Sequence, residues 1–312
     1  MALPKNLHSA DYGKFDFGNK IKSAPERGAQ FSVIYADGKG WKSTIASYAK
    51  NPIILPVWLE TGHRVVDCPK FPEIGEYEGL CPIAHVFAAI NWLMKEQHSR
   101  KTLIIDNLGS FREAVENDVR KENPTEEKAF SLAPLYYAYY PHFFRAISKL
   151  MEKKGMDVIL LAHNGATTVN LANGKWYDEI SINGQQGKNT NVVELIKARV
   201  NNIFYVKNNP ILLDDKRGLA LDAKKQYVSA QGNKKTLYTR SKENFFAGTR
   251  LALEDSYTIE QSDSIHELLT LKNNESIVEF WRDFYQEPDY TPEVRKQQPR
   301  REAAQPTTTE QE

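Results

Sequence analysis

Polar groups able to do phosphate and metal chemistry stand at the ends of four apolar runs in this chain. Lys42-Ser43-Thr44 follows a glycine-bearing loop, Asp37-Gly38-Lys39-Gly40-Trp41, which itself follows the run from Phe31 to Tyr35. Glu60 ends the run Ile53 to Leu59, Asp106 closes Thr102 to Ile105, and His163-Asn164 closes Asp157 to Ala162. A glycine loop opening a helix can wrap an anion with its backbone N–H groups. A lysine there reaches the outer phosphates, and the neighbouring hydroxyl holds Mg²⁺. Lys42 and Ser43 fit those two roles. Asp106 would hold the metal beside Ser43 through water, and Glu60 would position and deprotonate an attacking water. His163 and Asn164 could sense a terminal phosphate by hydrogen bonding.

Each assignment has an ordinary alternative. Asp106 could be a helix cap, a role open also to Asn107 and Ser110. Glu60 could be a solvated loop glutamate and His163 a satisfied interior histidine. The loop itself departs from G-x-x-x-x-G-K-[ST], because the two glycine places hold Ala36 and Trp41 while Gly38 and Gly40 are displaced. An indole just before the lysine crowds the phosphates unless the loop is re-routed.

The elements that must position these groups can be read from the same runs. Apolar, β-branched segments alternate with stretches of helical period: Ile45 to Lys50, Ile83 to Glu96, a charged helix through about Lys121, and a helix opening near Pro141 and ending at Gly155. Val192–Val200 reads as a short helix, Ile203–Val206 as a fifth strand, Leu219–Val228 with Thr236–Arg240 as a terminal hairpin, and Ile265–Tyr285 as a last helix. Pro56 is a blemish in its strand. The pattern predicts an α/β fold with a mostly parallel sheet and helices on both faces, in which ligands sit at the C-terminal ends of the strands. The expected organisation is an irregular lead-in over 1–30, a nucleotide-binding core over 31–255, a helical segment over 256–285 and a disordered tail over 286–312.

Composition narrows the setting. With 41 basic and 40 acidic residues among 312, the net charge is +1, so nucleic-acid binding requires a local patch. No apolar run reaches the roughly 18–20 residues of a membrane span, and two cysteines cannot form a disulfide framework. A cytoplasmic protein is expected. His63, Cys68, Cys81 and His85 are zinc-ligand types without zinc-ligand spacing. The aromatic cluster Tyr136, Tyr137, Tyr139, Tyr140, Phe143 and Phe144 reads as core or interface. The stretch 164–191, rich in Gly and Asn, reads as a loop or loose hairpin, and its Lys175, Trp176 and Lys188 offer cations and a stacking ring to single-stranded DNA.

The order of phosphate loop, Leu59-Glu60-Thr61-Gly62, Asp67 to Pro72, Lys101 to Asp106 and Lys154 to His163 resembles the phage-encoded RecA-like ATP-binding proteins, compact relatives of RecA that act as single-strand annealing recombination proteins. The likeness covers about residues 31 to 255. It implies a RecA-like P-loop NTPase core that binds ATP and Mg²⁺, forms rings or filaments of identical subunits, and handles single-stranded DNA in the host cytoplasm, with a single-strand-binding or recombination protein as partner. Gly38, Lys39, Gly40, Trp41, Lys42, Ser43 and Thr44 are the candidate nucleotide-binding loop. By that comparison Lys42, Ser43 and Thr44 match the family's phosphate-loop residues, Asp106 the metal-side aspartate beside Ser43, Glu60 the glutamate that activates water and His163 the polar strand end. Glu60, Lys42 and His163 are thus expected to serve catalysis. Arg250, in Ala247-Gly248-Thr249-Arg250, reaches a neighbouring subunit's nucleotide, and Gly248 stands where the family has lysine. The departures at Trp41 and Gly248 imply weak or DNA-dependent hydrolysis. A scaffold that has given up its nucleotide is the alternative. A small-molecule kinase is a third reading, disfavoured by the absence of an arginine-rich lid.

Overall fold

The computed structural model describes residues 27–38, 40–76, 80–124, 129–170, 175–184, 191–212, 229–242, 244–260 and 274–292. In chain order the elements are β1 (Phe31–Ala36), α1 (Lys42–Ser47), β2 (Pro52–Pro56), α2 (Pro82–Lys95), β3 (Thr102–Asp106), α3 (Leu108–Glu122), α4 (Ala129–Lys154) and β4 (Asp157–Asn170). They continue with β5 (Trp176–Ile182), α5 (Val192–Arg199), β6 (Asn202–Leu212), β7 (Ser229–Tyr238), β8 (Gly248–Thr249), β9 (Ser256–Glu260) and a last helix, α6 (Glu275–Tyr285).

One sheet carries them, in the order β2-β3-β4-β1-β6-β7-β9, with β5 paired to β4 and β8 to β6. The five strands β2, β3, β4, β1 and β6 run parallel, and β7 and β9 extend the sheet antiparallel. Parallel strands buried on both faces read as unbroken apolar runs, which is why β1, β2 and β3 are buried along their whole length. Alternate residues feed two cores. Val33, Tyr35, Leu103, Ile105, Val158 and Leu160 face α2, α3, α4 and α5. Ile34, Ile54, Ile104, Ile159, Leu161 and Phe204 face α1 and α6.

Register places the chemistry at one edge. Ala36, where β1 enters the phosphate loop, is level with His163 on β4 and Val206 on β6. Asp106 is level with Pro56, and Glu60 follows just beyond. Pro56 is tolerated because β2 is the outermost strand on its side.

Several expected boundaries move. The helix expected to open at Pro141 starts at Ala129 and carries Pro134 and Pro141 inside it, each of which leaves one intrahelical carbonyl without its usual N–H. Its Tyr136, Tyr140, Phe143 and Phe144 are core. Residues 164–170 prolong β4, which folds back through β5 as an antiparallel hairpin; residues 171–174 and 185–190 lie outside the described residues. The terminal hairpin is differently built. Leu219–Val228 falls outside the described residues, and β7 pairs with β6 on one side and β9 on the other. The last helix begins at Glu275, where the Asn274 side chain accepts the Ile277 N–H as an N-cap; 265–273 are not among the described residues. No described helix is long and apolar enough to cross a membrane.

Candidate nucleotide site

The loop after β1 turns tightly. The Gly40 N–H donates to the Asp37 carbonyl at 3.1 Å. A Cβ on Gly40 would meet the Ala36 Cβ at 2.4 Å and that carbonyl at 2.8 Å, so the turn closes only around a glycine. Asn164, at the end of the parallel part of β4, donates its amide to the Asp37 carboxylate and ties the loop to its neighbouring strand. Trp41 has φ 59° and ψ 18°, the left-handed turn a glycine would supply in the place before the lysine, and its carbonyl receives the Ile45 N–H at 2.8 Å to begin α1. Its ring packs on the α1/α6 core with the Lys235 ammonium 4.6 Å above the ring centre. The loop is thus re-routed around its indole.

Lys42 is 7% exposed and donates to the Asp37 carbonyl at 3.1 Å. Burial holds its pKa below the usual lysine range, with Asp106, Glu60 and Asp37 pulling the other way. The Ser43 hydroxyl donates to Asp106 Oδ2 at 2.8 Å. Asp106 is 2% exposed, and burial, followed by the nearby Glu60, pushes its carboxyl up to about 6 against the opposing pull of Ser43 and Lys42. A Cβ on Gly62 would press on Glu60 Oε1 at 3.1 Å and stand at ordinary contact distance from Ser43 Oγ and Asp106 Oδ2, so Gly62 lies beside all three.

Glu60 is held on both oxygens. Oε1 accepts the Thr61 and Gly62 N–H groups at 2.9 and 2.8 Å, and Oε2 accepts the Asn107 amide. Asn107 is itself fixed as the N-cap of α3 through the Ser110 N–H at 3.1 Å. Its amide nitrogen also lies 3.5 Å from His163 Nε2. Burial, then the Lys42 charge, lower the His163 pKa, with Glu60 opposing. The structure therefore brings together Lys42, Ser43, Glu60, Asp106 and His163. Asn107 joins them as both cap and link, whereas in the sequence only its capping chemistry could be read.

Other expected residues stand elsewhere. Thr44 lies in the first turn of α1. Arg250 is exposed and follows β8, whose Thr249 pairs with Asn202 at the start of β6, so it stands at the sheet edge opposite Lys42. Lys175 is exposed just before β5, at the end of the hairpin far from His163, and Trp176 opens that strand opposite Asn170. Lys39 and Lys188 lie outside the described residues. The zinc combination does not form: among the described residues no group of three or more His, Cys, Asp or Glu is placed to hold a metal. His63 instead faces Glu73 at 3.0 Å and Cys81 faces Asp118 at 2.8 Å.

Residues 30–251 match the family described as the AAA domain. The chain belongs to that family. No curated protein matches the sequence of this AAA domain. Among solved structures the RadB recombinase is similar, at 9% identity and a TM-score of 0.36 over 74% of this chain and 86% of that one. A likeness of that degree assigns nothing further. Family and sheet order together describe an AAA-type α/β core, a mostly parallel sheet with helices on both faces. The residues present fit a nucleotide with Mg²⁺. The AAA domain has a loop that only glycine can close, a buried lysine resting on a loop carbonyl, and a hydroxyl–carboxylate pair of the hard oxygen type that Mg²⁺ prefers.

Proposed function

We propose that this AAA domain binds ATP with Mg²⁺ and acts on single-stranded DNA in recombination or annealing, as an assembly of identical subunits. The observation that carries the nucleotide reading is the Ser43–Asp106 hydrogen bond, with Lys42 and Glu60 around it, at one edge of a parallel sheet. Lys42 would exchange the Asp37 carbonyl for phosphate oxygens, and Ser43 with Asp106 would hold the metal, which supplies charge neutralisation of the phosphates. Glu60 would orient and deprotonate water. Three N–H groups already engage its two oxygens, one of them from Asn107, which leaves about one of the carboxylate's four acceptor positions for a water. That supports slow turnover in the isolated protein.

The β4–β5 hairpin grows from the same edge, directly after His163, and carries Lys175, Trp176 and the exposed Tyr177. Cations and aromatic rings on such a hairpin suit unpaired bases. His163, next to Asn107, links its root to the Glu60 cluster. Arg250, on the far edge, is where a neighbouring subunit's nucleotide could reach it.

The test is equilibrium binding of a fluorescent ATP analogue with Mg²⁺, with and without single-stranded DNA, on the wild type and on Lys42→Ala. Binding by the wild type, loss by at least about tenfold in the variant, and phosphate release that rises with DNA are expected, since a charge-assisted contact is worth about that factor. A wild type that binds no nucleotide overturns the reading. Transfer of phosphate to a small metabolite in preference to water would replace it with a kinase.

A further inference from the structure

The acids of the site lie on the β2–β3 side of the phosphate loop. On the β6–β7 side stands Lys235, in an antiparallel strand that the phosphate-loop pattern does not include. It is 7% exposed. Its backbone is in register with Asn208, two places beyond the Val206 that is level with Ala36, so it overhangs the sheet edge where the phosphate loop begins. Its ammonium donates to Asn208 Oδ1 at 2.7 Å and lies 4.6 Å over the Trp41 ring. Burial, then the Lys42 charge, hold its pKa below the usual lysine range, and Asp37 opposes them. Two lysines far apart in the sequence, Lys42 and Lys235, therefore converge on the same loop.

Two lysines brought to one loop raise its attraction for an anion. Asp37 lies in the loop, and the loop geometry accepts a phosphate. We propose that Lys235 is a second phosphate-binding residue of this chain, held on Trp41 and Asn208 and directed at the inner phosphates of the nucleotide. This rests on the ATP-binding reading above. The inner phosphates are chosen by direction. Ser43, Asp106 and Glu60, the groups for metal and water, mark the terminal-phosphate side, and Lys235 approaches from the other. Trp41 then has a purpose in the place where glycine is usual. Its left-handed backbone keeps the turn, and its ring carries the second lysine by a cation–π contact.

The experiment compares Kd for ATP and for ADP, each with Mg²⁺, in the wild type, Lys42→Ala, Lys235→Met, Trp41→Ala and the Lys235→Met/Trp41→Ala double variant, with thermal melts to confirm folding. Lys235→Gln replaces Lys235→Met if the latter does not fold. The expected result is that Lys235→Met weakens ATP and ADP alike, by about tenfold or more. Trp41→Ala should weaken both by less, and the double variant should be no worse than Lys235→Met, because the ring acts through the lysine. Unchanged affinities in Lys235→Met, with Lys42→Ala still defective, overturn the proposal and leave the ATP reading standing. A loss confined to ATP overturns the inner-phosphate assignment. A wild type that binds neither nucleotide overturns both.

Discussion

Trp281 donates its indole N–H to the carbonyl of Ile45 at 2.9 Å, across 236 residues of sequence. Two neighbours repeat the arrangement: the Tyr290 hydroxyl donates to the Tyr48 carbonyl at 2.6 Å, and the Tyr285 hydroxyl accepts the Lys50 N–H at 2.8 Å. Helix α1 has six residues, too few to persist alone, and a helix end leaves carbonyls that need partners. The C-terminal segment supplies them. The element that presents Lys42 and Ser43 is thus held from behind by α6.

Trp281→Phe keeps an aromatic ring in the core but removes the only donor the side chain has. The Ile45 carbonyl then keeps only the longer bond from the Tyr48 N–H at 3.3 Å, and the loss costs about 0.5–1.5 kcal/mol, read as a lower melting temperature. Because the loss falls on α1, affinity for the Mg²⁺–ATP analogue should drop as well. A lower melting temperature with unchanged affinity would reduce α6 to a stabilising element with no hold on the phosphate loop.

Asp106 is held as a carboxylate at a cost. Its folded pKa is raised from 3.8 to about 6, so the folded protein binds this proton more tightly than the unfolded chain does. The penalty for ionising it is therefore fully present above about 6, declines as the pH falls through that value, and is gone below 3.8. Asp106→Asn should stabilise the nucleotide-free protein by about 2–3 kcal/mol at pH 7.5, with little difference from wild type near pH 4. The same change should abolish Mg²⁺-dependent nucleotide binding. Thermal melts at both pH values check the first part, and a variant less stable than wild type at pH 7.5 refutes it.

The parallel strands were readable because burial on both faces leaves unbroken apolar runs, and their polar ends pointed to one edge because all five strands share a direction. Ser43, Glu60, Asp106 and His163 could be assembled that way without a single distance. Lys235 could not. It sits in a polar, antiparallel strand, its partner Asn208 and the Trp41 ring are remote in sequence, and only the pairing of β6 with β7 brings them together. The hold of Trp281 on Ile45 is hidden for the same reason. Helix α4 misled in another way. Proline is a sound signal for a first turn, yet buried Leu132, Tyr136 and Tyr140 keep the helix running through Pro134 and Pro141. Trp41 misled by residue type, since the departure from glycine lies in the side chain while the backbone keeps a glycine's turn.

The two loop glycines, equal in the sequence, are unequal in space. A Cβ on Gly38 meets nothing within 4 Å, whereas one on Gly40 would sit 2.4 Å from the Ala36 Cβ and 2.8 Å from the Asp37 carbonyl. The second contact is with backbone, and the Ala36 Cβ cannot swing aside, so the loop itself has to open. Asp37 would move with it, and Lys42 rests on the Asp37 carbonyl. Gly38→Ala should therefore bind the ATP analogue within about twofold of wild type, and Gly40→Ala should lose about tenfold or more, the worth of a misplaced charge-assisted contact. Titrating both variants beside wild type decides the matter. Equal affinities would mean that the turn at Gly40 does not shape the anion cradle, and equal losses would mean that Gly38 contacts the nucleotide directly.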